Sequence, residues 1–96
     1  MMIRVELRNE QGEVEQLLDG VEMGPAHLPG FEDKQYPYLR LIDPYGDTVF
    51  SSYQMVAVVP ELEALAATRP SHAIEKVLGL ARRCSGQRLY LAFVGD

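Results

Sequence analysis

The stretch SHAIEKVLGLARRCSGQRLYLAFV, residues 71–94, contains a helix signal followed directly by a strand signal. Ser71 is a residue type that caps helix N-termini, and Gly86 stands where a helix end favours a left-handed residue. One apolar stripe at helical spacing lies between them: Ile74, Val77, Leu78, Ala81 and Cys84. The strand that follows is apolar on both faces, with Leu89, Leu91 and Phe93 alternating with Tyr90, Ala92 and Val94. Such a strand is typical of the middle of a sheet, so the stretch predicts a helix packed on a sheet with a central last strand.

A second helix is predicted just before residue 71. Pro60 suits the first turn of a helix, and Glu61 and Glu63 would lie near the favourable N-terminal end of the helix dipole. We therefore expect a helix from Pro60 to about Thr68. Residues 51–59 fit either a continued strand or a helix that begins at Gln54, and the helical alternative requires a kink at Pro60.

Residues 38–50, YLRLIDPYGDTVF, predict a β-hairpin. Residues 38–43 alternate as a strand, and residues 48–50 begin the return strand. The stretch between them has the chemistry of a tight turn, in which Asp43 accepts a backbone hydrogen bond and Gly46 adopts a positive φ.

The N-terminal residues predict another hairpin. Residues 2–8 alternate between apolar and charged side chains, which is typical of a half-buried strand. Asn9 and Gly12 provide turn chemistry, and a weaker strand follows over residues 13–18. Residues 19–37 show no periodicity and form a long loop, of which Met23, Leu28, Phe31 and Tyr36 are expected to pack partly onto the core.

These signals together predict one small domain, residues 1–96, of the α+β class. We expect a mostly antiparallel sheet of about five strands with two helices on one face, in the order β-β-β-β-α-α-β. The last strand should lie beside the first, and it should enter the sheet in parallel because a helical crossover commonly returns a chain in that direction. The sheet face away from the helices would be partly exposed and is a candidate interface.

The composition restricts the classes of partner. The chain has 96 residues and a formal net charge of −5, which argues against nucleic acid and is compatible with a basic protein partner. No apolar run approaches the length of about 18 residues that a membrane span needs, and charges interrupt the N-terminal residues, so we expect neither a membrane segment nor a secretory signal. A single cysteine, Cys84, is consistent with a cytoplasmic location.

Few residues carry the pattern of a catalytic or metal site. Asp43 and Asp47 form a possible carboxylate pair, but a tight exposed turn offers neither the burial nor the pocket that acid–base catalysis needs. The two histidines, His27 and His72, are far apart in sequence, and no metal-binding motif includes them. We therefore expect no metal and no cofactor, and we expect Cys84 to be a buried structural thiol.

Tyrosines cluster around the predicted hairpin. Tyrosine is enriched at protein interfaces because it combines a large contact area with a polar tip. The sequence therefore suggests a binding surface of tyrosines with an acidic surround, consisting of Tyr36, Tyr38, Tyr45 and Tyr53 with Glu32, Asp33, Asp43 and Asp47. The alternative is that these tyrosines pack on the face of the sheet.

The second half of the chain resembles a set of small uncharacterised bacterial proteins. The resemblance is carried by the Y-G-D-T-x-F motif at residues 45–50, by ELEAL at residues 61–65 and by the L-x-F-x-G-D ending at residues 91–96. Some of those proteins look like immunity-type partners in toxin systems, so the resemblance implies a protein partner. Its motifs are structural and transfer no catalytic residue, and residues 1–37 have no counterpart in it.

Two classes of function follow from the sequence. The first is a non-catalytic protein-binding module, immunity-like or regulatory. The second is a small enzyme whose site is assembled from Asp43, Asp47, His27 or Asp96. An enzyme should have a concave pocket with convergent polar groups, and a binding module should have an exposed patch of aromatic and acidic side chains.

Overall fold

The computed structural model describes residues 2–22 and 28–95, in which a four-stranded antiparallel sheet carries helices on one face. The strands are β1 (Met2–Arg8), β2 (Val14–Glu22), β3 (Asp47–Ser51) and β4 (Tyr90–Val94), and the helices are α1 (Met55–Thr68) and α2 (His72–Cys84). A short 3-10 helix, Leu39–Leu41, precedes β3. The predicted α+β class and the antiparallel sheet are confirmed.

The sheet has the strand order β2-β1-β4-β3. The last strand lies in the interior of the sheet beside β1, as its two apolar faces predicted. It runs antiparallel to both β1 and β3, however, so the expected parallel entry is wrong. One helix between two strands reverses the chain twice and restores its direction, whereas the two helices here add a third reversal.

The strand predicted over residues 38–43 does not form, which reduces the strand count from about five to four. The buried side chains of this region are Tyr36, Leu39 and Ile42, whose spacing of three matches a 3-10 helix. The carboxylate of Glu61 accepts the backbone N–H groups of Tyr38 and Leu39 at 3.0–3.1 Å, which satisfies donors at the start of this helix. A contact from α1 therefore overrides the local alternation.

Gly46 does not have the predicted positive φ. Among the described residues, only Gly12, Gly20 and Gly86 have glycine φ values in that region. Because residues 38–43 are not a strand, the turn at Asp43 does not join two paired strands. Instead, the Gly46 carbonyl accepts the Gly95 N–H at 2.9 Å and extends the β3–β4 ladder by one pair.

Helix α1 begins at Met55 and continues through Pro60, so the helical alternative for residues 55–59 is the correct one. Pro60 costs the helix one backbone hydrogen bond. Four buried residues on the other side of the helix outweigh this cost: Met55, Val58, Leu62 and Leu65. The side chain of Gln54, just before the helix, accepts the Ser51 N–H at 2.8 Å and joins the end of β3 to the start of α1.

Helix α2 follows the sequence prediction closely. The Ser71 hydroxyl accepts the Ile74 N–H at 3.1 Å as an N-cap, and Gly86 has a φ of 76° just beyond the C-terminus. All five residues of the predicted stripe are buried, and they pack with alternate residues of β1 and β4 in the core. This core lies between the helices and one face of the sheet.

The N-terminal hairpin of β1 and β2 is confirmed, and β2 extends to Glu22, beyond the predicted end at residue 18. The Asn9 side chain accepts the N–H groups of Gln11 and Glu13 in the turn. In the loop that follows, Leu28 and Tyr36 pack into the core as predicted, but Phe31 is exposed. Met23 and His27 lie outside the described residues.

Candidate functional site

Asp43 organises the turn before β3. Its Oδ1 atom accepts the Tyr45 N–H at 2.8 Å, its carbonyl accepts the Gly46 N–H at 3.4 Å, and its own N–H donates to the Thr48 hydroxyl at 2.8 Å. These bonds are those of an aspartate-initiated turn. The turn leaves the Tyr45 side chain 72% exposed.

The four tyrosines of the predicted patch separate into two groups. Tyr36 is buried in the core, so it does not belong to an exposed surface. Tyr38 is half-buried and packs edge-on against Phe50, with the two ring centres 6.2 Å apart. Tyr45 and Tyr53 are exposed, at 72% and 88% respectively. They lie beyond opposite ends of β3, whose five residues span about 16 Å. The tyrosines therefore do not form one continuous patch.

The predicted acidic surround is also divided. The Asp33 carboxylate is 3.1 Å from Nη2 of Arg69, and the exposed Asp47 carboxylate is 3.7 Å from Nη2 of Arg8. Glu32 is exposed, and Asp43 is exposed but bonded within its turn. Glu32, Asp43 and Asp47 thus remain accessible to a partner, whereas Asp33 mainly holds the loop to the end of α1.

The segment of residues 31–47, called the loop surface below, carries further exposed side chains. Three large apolar side chains on it reach solvent: Phe31, Leu41 and Tyr45. The Arg40 guanidinium lies 4.1 Å from the centre of the Phe31 ring, and its Nε donates to the Phe31 carbonyl at 2.7 Å. These contacts fix the Phe31 backbone and ring against the 3-10 helix.

The loop surface rests on a packed base. Tyr36, Leu39 and Ile42 are inserted into the core, and the Glu61 carboxylate holds the start of the 3-10 helix. An exposed apolar surface on a segment fixed in this way loses little conformational freedom on binding. The segment can therefore present Phe31, Leu41 and Tyr45 in a defined arrangement.

Sequence reasoning missed Phe31 and Leu41 as surface residues. The signal that identifies them is the spacing of three between Tyr36, Leu39 and Ile42, which assigns those three residues to one buried side. A strand interpretation instead placed Leu41 on the same face as Leu39, although Leu39 is buried and Leu41 is exposed. Phe31 carries no periodic signal, and its exposure follows only from the folded loop.

Cys84 is buried on the core stripe, as predicted, and its thiol lies 3.4 Å from the Leu89 carbonyl oxygen. Burial raises the pKa of this thiol to about 11, which keeps it in the unreactive protonated form. Two residues of the enzyme alternative, His27 and Asp96, lie outside the described residues.

The surface depressions found among the described residues are open to solvent. One of about 510 Å³ lies between Tyr53 and Tyr90, with Glu10 and Arg88 at its border. These two charged side chains are 3.8 Å apart, and that of Arg88 is largely in solvent. An enzyme pocket instead gathers convergent polar groups in a concave and largely desolvated site. Within the described residues, no group of three or more histidine, cysteine or acidic side chains is arranged to hold a metal ion.

Comparison with known proteins adds no assignment, because no family model, curated protein or solved structure matches this chain. Among the described residues, no helix combines the length and apolar character that crossing a membrane requires.

Proposed function

We propose that this chain is a non-catalytic protein-binding module whose partner docks on the loop surface. The observation that supports the proposal is the exposure of Phe31, Leu41 and Tyr45 on one packed segment. Large exposed apolar and aromatic side chains on a rigid base are typical of interface anchors. The loop also joins two regular elements of a stable scaffold, which is where binding residues commonly lie.

The partner is expected to be basic. Glu32, Asp43 and Asp47 are exposed acidic residues of the loop surface, and the whole chain has a formal net charge of −5. Acidic groups around an aromatic patch accelerate encounter with a basic protein and disfavour acidic ones. An immunity-like partner in a toxin system, which the resemblance implies, belongs to this class of interaction, and the single cysteine is consistent with a cytoplasmic location.

The test begins with a partner purified after affinity capture from the native host. Phe31→Ser and Tyr45→Ser should each weaken its binding at least tenfold, about 1.4 kcal/mol, because each removes an exposed anchor without opening the core. Surface plasmon resonance measures the change. Tyr53→Ser is the matched control, because Tyr53 is more exposed than either of these residues but lies beyond the other end of β3.

Charge is tested on the same partner. Glu32→Lys should slow association, and the wild-type association rate should fall as salt is raised, because surface charges more than about 10 Å apart are screened at 0.1 M salt. Asp33 is unsuitable for charge reversal because its ion pair with Arg69 holds the loop. Unchanged binding by both serine variants would reject the loop surface as the docking site. Substrate turnover that is lost on changing Asp43 or Asp47, with folding intact, would favour the enzyme alternative.

A further inference from the structure

Strand β2 lies at one edge of the sheet, and the backbone of Leu17 faces outward there. The Asn9 N–H donates to the Glu13 carbonyl at 2.9 Å, so residue 9 bonds towards β2. Backbone bonding alternates along an antiparallel strand, so Leu7 also bonds towards β2, whereas Glu6 bonds towards β4. Leu17 is the partner of Glu6 in the register, and its N–H and C=O groups therefore point away from the sheet. In the described part of the chain, neither group has a hydrogen-bond partner.

A groove runs between this edge and helix α2, and it is called the β2–α2 groove below. Its volume is about 500 Å³, within the range of about 300–1,000 Å³ that ligand sites have. Beside it, the Arg83 guanidinium donates to the Gln16 side-chain oxygen at 2.7 Å, which joins the helix to the strand. The groove is lined by residues of both elements: Gln16, Leu17, Leu18, Lys76, Gly79 and Leu80.

Gly79 leaves the helix wall of the groove without a side chain. A Cβ at this position would meet no atom within 4 Å, although the residue lies in the interior of α2. Glycine there makes the helix less stable than alanine would, so local helix stability does not explain its presence. Next to it, Leu80 is buried and Leu18 packs against the core, which gives the groove an apolar floor. An open space over an apolar floor thus lies beside outward-facing backbone groups.

Lys76 places a positive charge at the groove. Its side chain is exposed, and none of the ion pairs among the described residues includes it. The described residues that line the groove include no acidic side chain. The Lys76 ammonium group therefore complements a carboxylate of a bound molecule.

We propose that the β2–α2 groove binds an extended peptide segment, which adds to β2 as a further strand of the sheet. The outward backbone groups of an edge strand specify such an occupant, because an extended chain offers the matching N–H and C=O groups. In an antiparallel segment, one residue pairs with Leu17 through two hydrogen bonds. This site goes beyond the proposed function, since it lies on other elements than the loop surface.

The spacing of the groove residues defines the side chains that it prefers. In the added strand, the two neighbours of the residue opposite Leu17 point to the α2 side, about 6.7 Å apart. Lys76 and Leu80 are four residues apart on α2, which is about 6 Å along the helix axis. One neighbour can therefore contact Lys76 with a carboxylate while the other lies over Gly79 against Leu80.

The direction of α2 determines the order of these two side chains. The last turn of α2 contacts the first part of β2 through Arg83 and Gln16, so the helix and the strand run in opposite directions. A segment antiparallel to β2 therefore follows the direction of α2 and meets Lys76 before Leu80. The preferred sequence is consequently an acidic residue followed two positions later by an aliphatic residue.

Panning of a library of random linear peptides on the purified chain tests this pattern. Display in many copies on each phage particle retains weak binders. The enriched peptides should share an acidic residue two positions before an aliphatic residue. An absence of enriched peptides, or enrichment without this pattern, would overturn the proposal.

An enriched peptide, synthesised with a fluorescent label, then tests Lys76 by fluorescence anisotropy. Lys76→Glu should weaken binding about tenfold, because it places like charges together. A peptide with lysine in place of its acidic residue should instead bind Lys76→Glu better than wild type. Lys34→Glu is the matched control, because it makes the same charge change at an exposed residue of the loop surface.

Gly79→Phe tests whether the groove itself is occupied. The variant should keep the circular dichroism spectrum of wild type, because phenylalanine favours a helix more than glycine does. It should weaken peptide binding about tenfold, because the added ring takes the space of the peptide side chain. Equal binding by wild type, Lys76→Glu and Gly79→Phe would reject the groove as the site.

Hydrogen exchange measured by NMR tests strand addition. The Leu17 amide should exchange about tenfold more slowly with the peptide bound, because its N–H gains a partner. Binding that leaves this exchange unchanged would reject strand addition, and slow exchange in a chain that dimerises without peptide would make a second copy the occupant instead. Phe31→Ser and Tyr45→Ser should leave peptide binding unchanged, so this proposal and the proposed function can fail separately.

Discussion

Single glycines decide how closely two segments of this fold approach each other. A Cβ on Gly95 would overlap the backbone carbonyl group of Pro44 and lie 2.8 Å from the Asp43 carbonyl oxygen. Both obstacles are backbone, which cannot rotate away as a side chain can. At Gly46 the nearest atom to such a Cβ is a carboxylate oxygen of Asp43, 3.0 Å away on a flexible side chain. The sequence drew attention to Gly46, but the stricter position is Gly95.

Gly95→Ala should therefore destabilise the fold by about 1–3 kcal/mol, because the turn at residues 43–46 and the end of β4 must separate. Urea denaturation monitored by circular dichroism measures the change. Gly79→Ala is the matched control, since a Cβ there meets no atom within 4 Å and the residue lies in the interior of α2. That variant should gain about 0.5–1 kcal/mol. If Gly95→Ala were as stable as Gly79→Ala, the turn at residues 43–46 would move away from the added Cβ at little cost in free energy.

At the scale of elements, prediction succeeded where local and tertiary signals agree. In α2 the cap, the apolar stripe and the left-handed glycine all specify the same helix, so its bounds were predictable from local residues alone. Residues 38–43 are the opposite case. Their alternation suggests a strand, but the Glu61 carboxylate from α1 stabilises a 3-10 helix instead. Pro60 likewise marks a helix start locally, and only core burial of Met55 and Val58 extends α1 past it.

The packing of α2 gives a direct test through Cys84. A thiol with a pKa raised to about 11 by burial is protonated and shielded at pH 8, so it should react with a thiol probe at least 100-fold more slowly than in urea-denatured chain. The buried thiol contributes fully to the free energy of folding below the ordinary thiol pKa, where it is protonated in both the folded and the unfolded chain. This contribution is lost as the pH rises through about 11, because the unfolded chain releases the thiol proton at a lower pH than the folded chain. Tyr53→Cys provides the control, since its second, exposed thiol should react at once. Equal rates in native and denatured chain would mean that α2 does not cover the thiol.

At the scale of the whole molecule, the candidate surfaces were harder to predict than the fold. The class follows from periodicity, because the apolar stripe of α2 and the strand signals near both ends of the sequence leave few architectures. The composition of the sheet face away from the helices depends on strand order, which places Val49 and Leu17 in one row although they are far apart in sequence. The tyrosines were grouped by sequence proximity, yet β3 separates Tyr45 from Tyr53 and the core takes Tyr36. Surface residues carry no periodic signal of their own, so their neighbours become known only from the fold.

On the sheet face away from the helices, the Glu6 carboxylate lies 2.7 Å from Nε of both Arg4 and Arg8, and these ion pairs make the stability of the whole molecule sensitive to acid. Burial of Glu6 opposes its ionisation, but the hydrogen bonds from Arg8 and Arg4 outweigh burial and lower its pKa below the ordinary value. A lowered pKa in the folded state stabilises the fold fully above the ordinary glutamate pKa of about 4.3, and this contribution is lost as the pH falls through the folded value.

Glu6→Gln should therefore cost about 1–2 kcal/mol of the free energy of unfolding at pH 7 and progressively less in acid, as urea denaturation from pH 7 to pH 3 would measure. Glu63→Gln is the control, because its ion pair with Arg82 is exposed and should change stability little at any pH. If Glu6→Gln and wild type lost stability in parallel as the pH fell, the hydrogen bonds from Arg4 and Arg8 to Glu6 would not contribute to the free energy of folding.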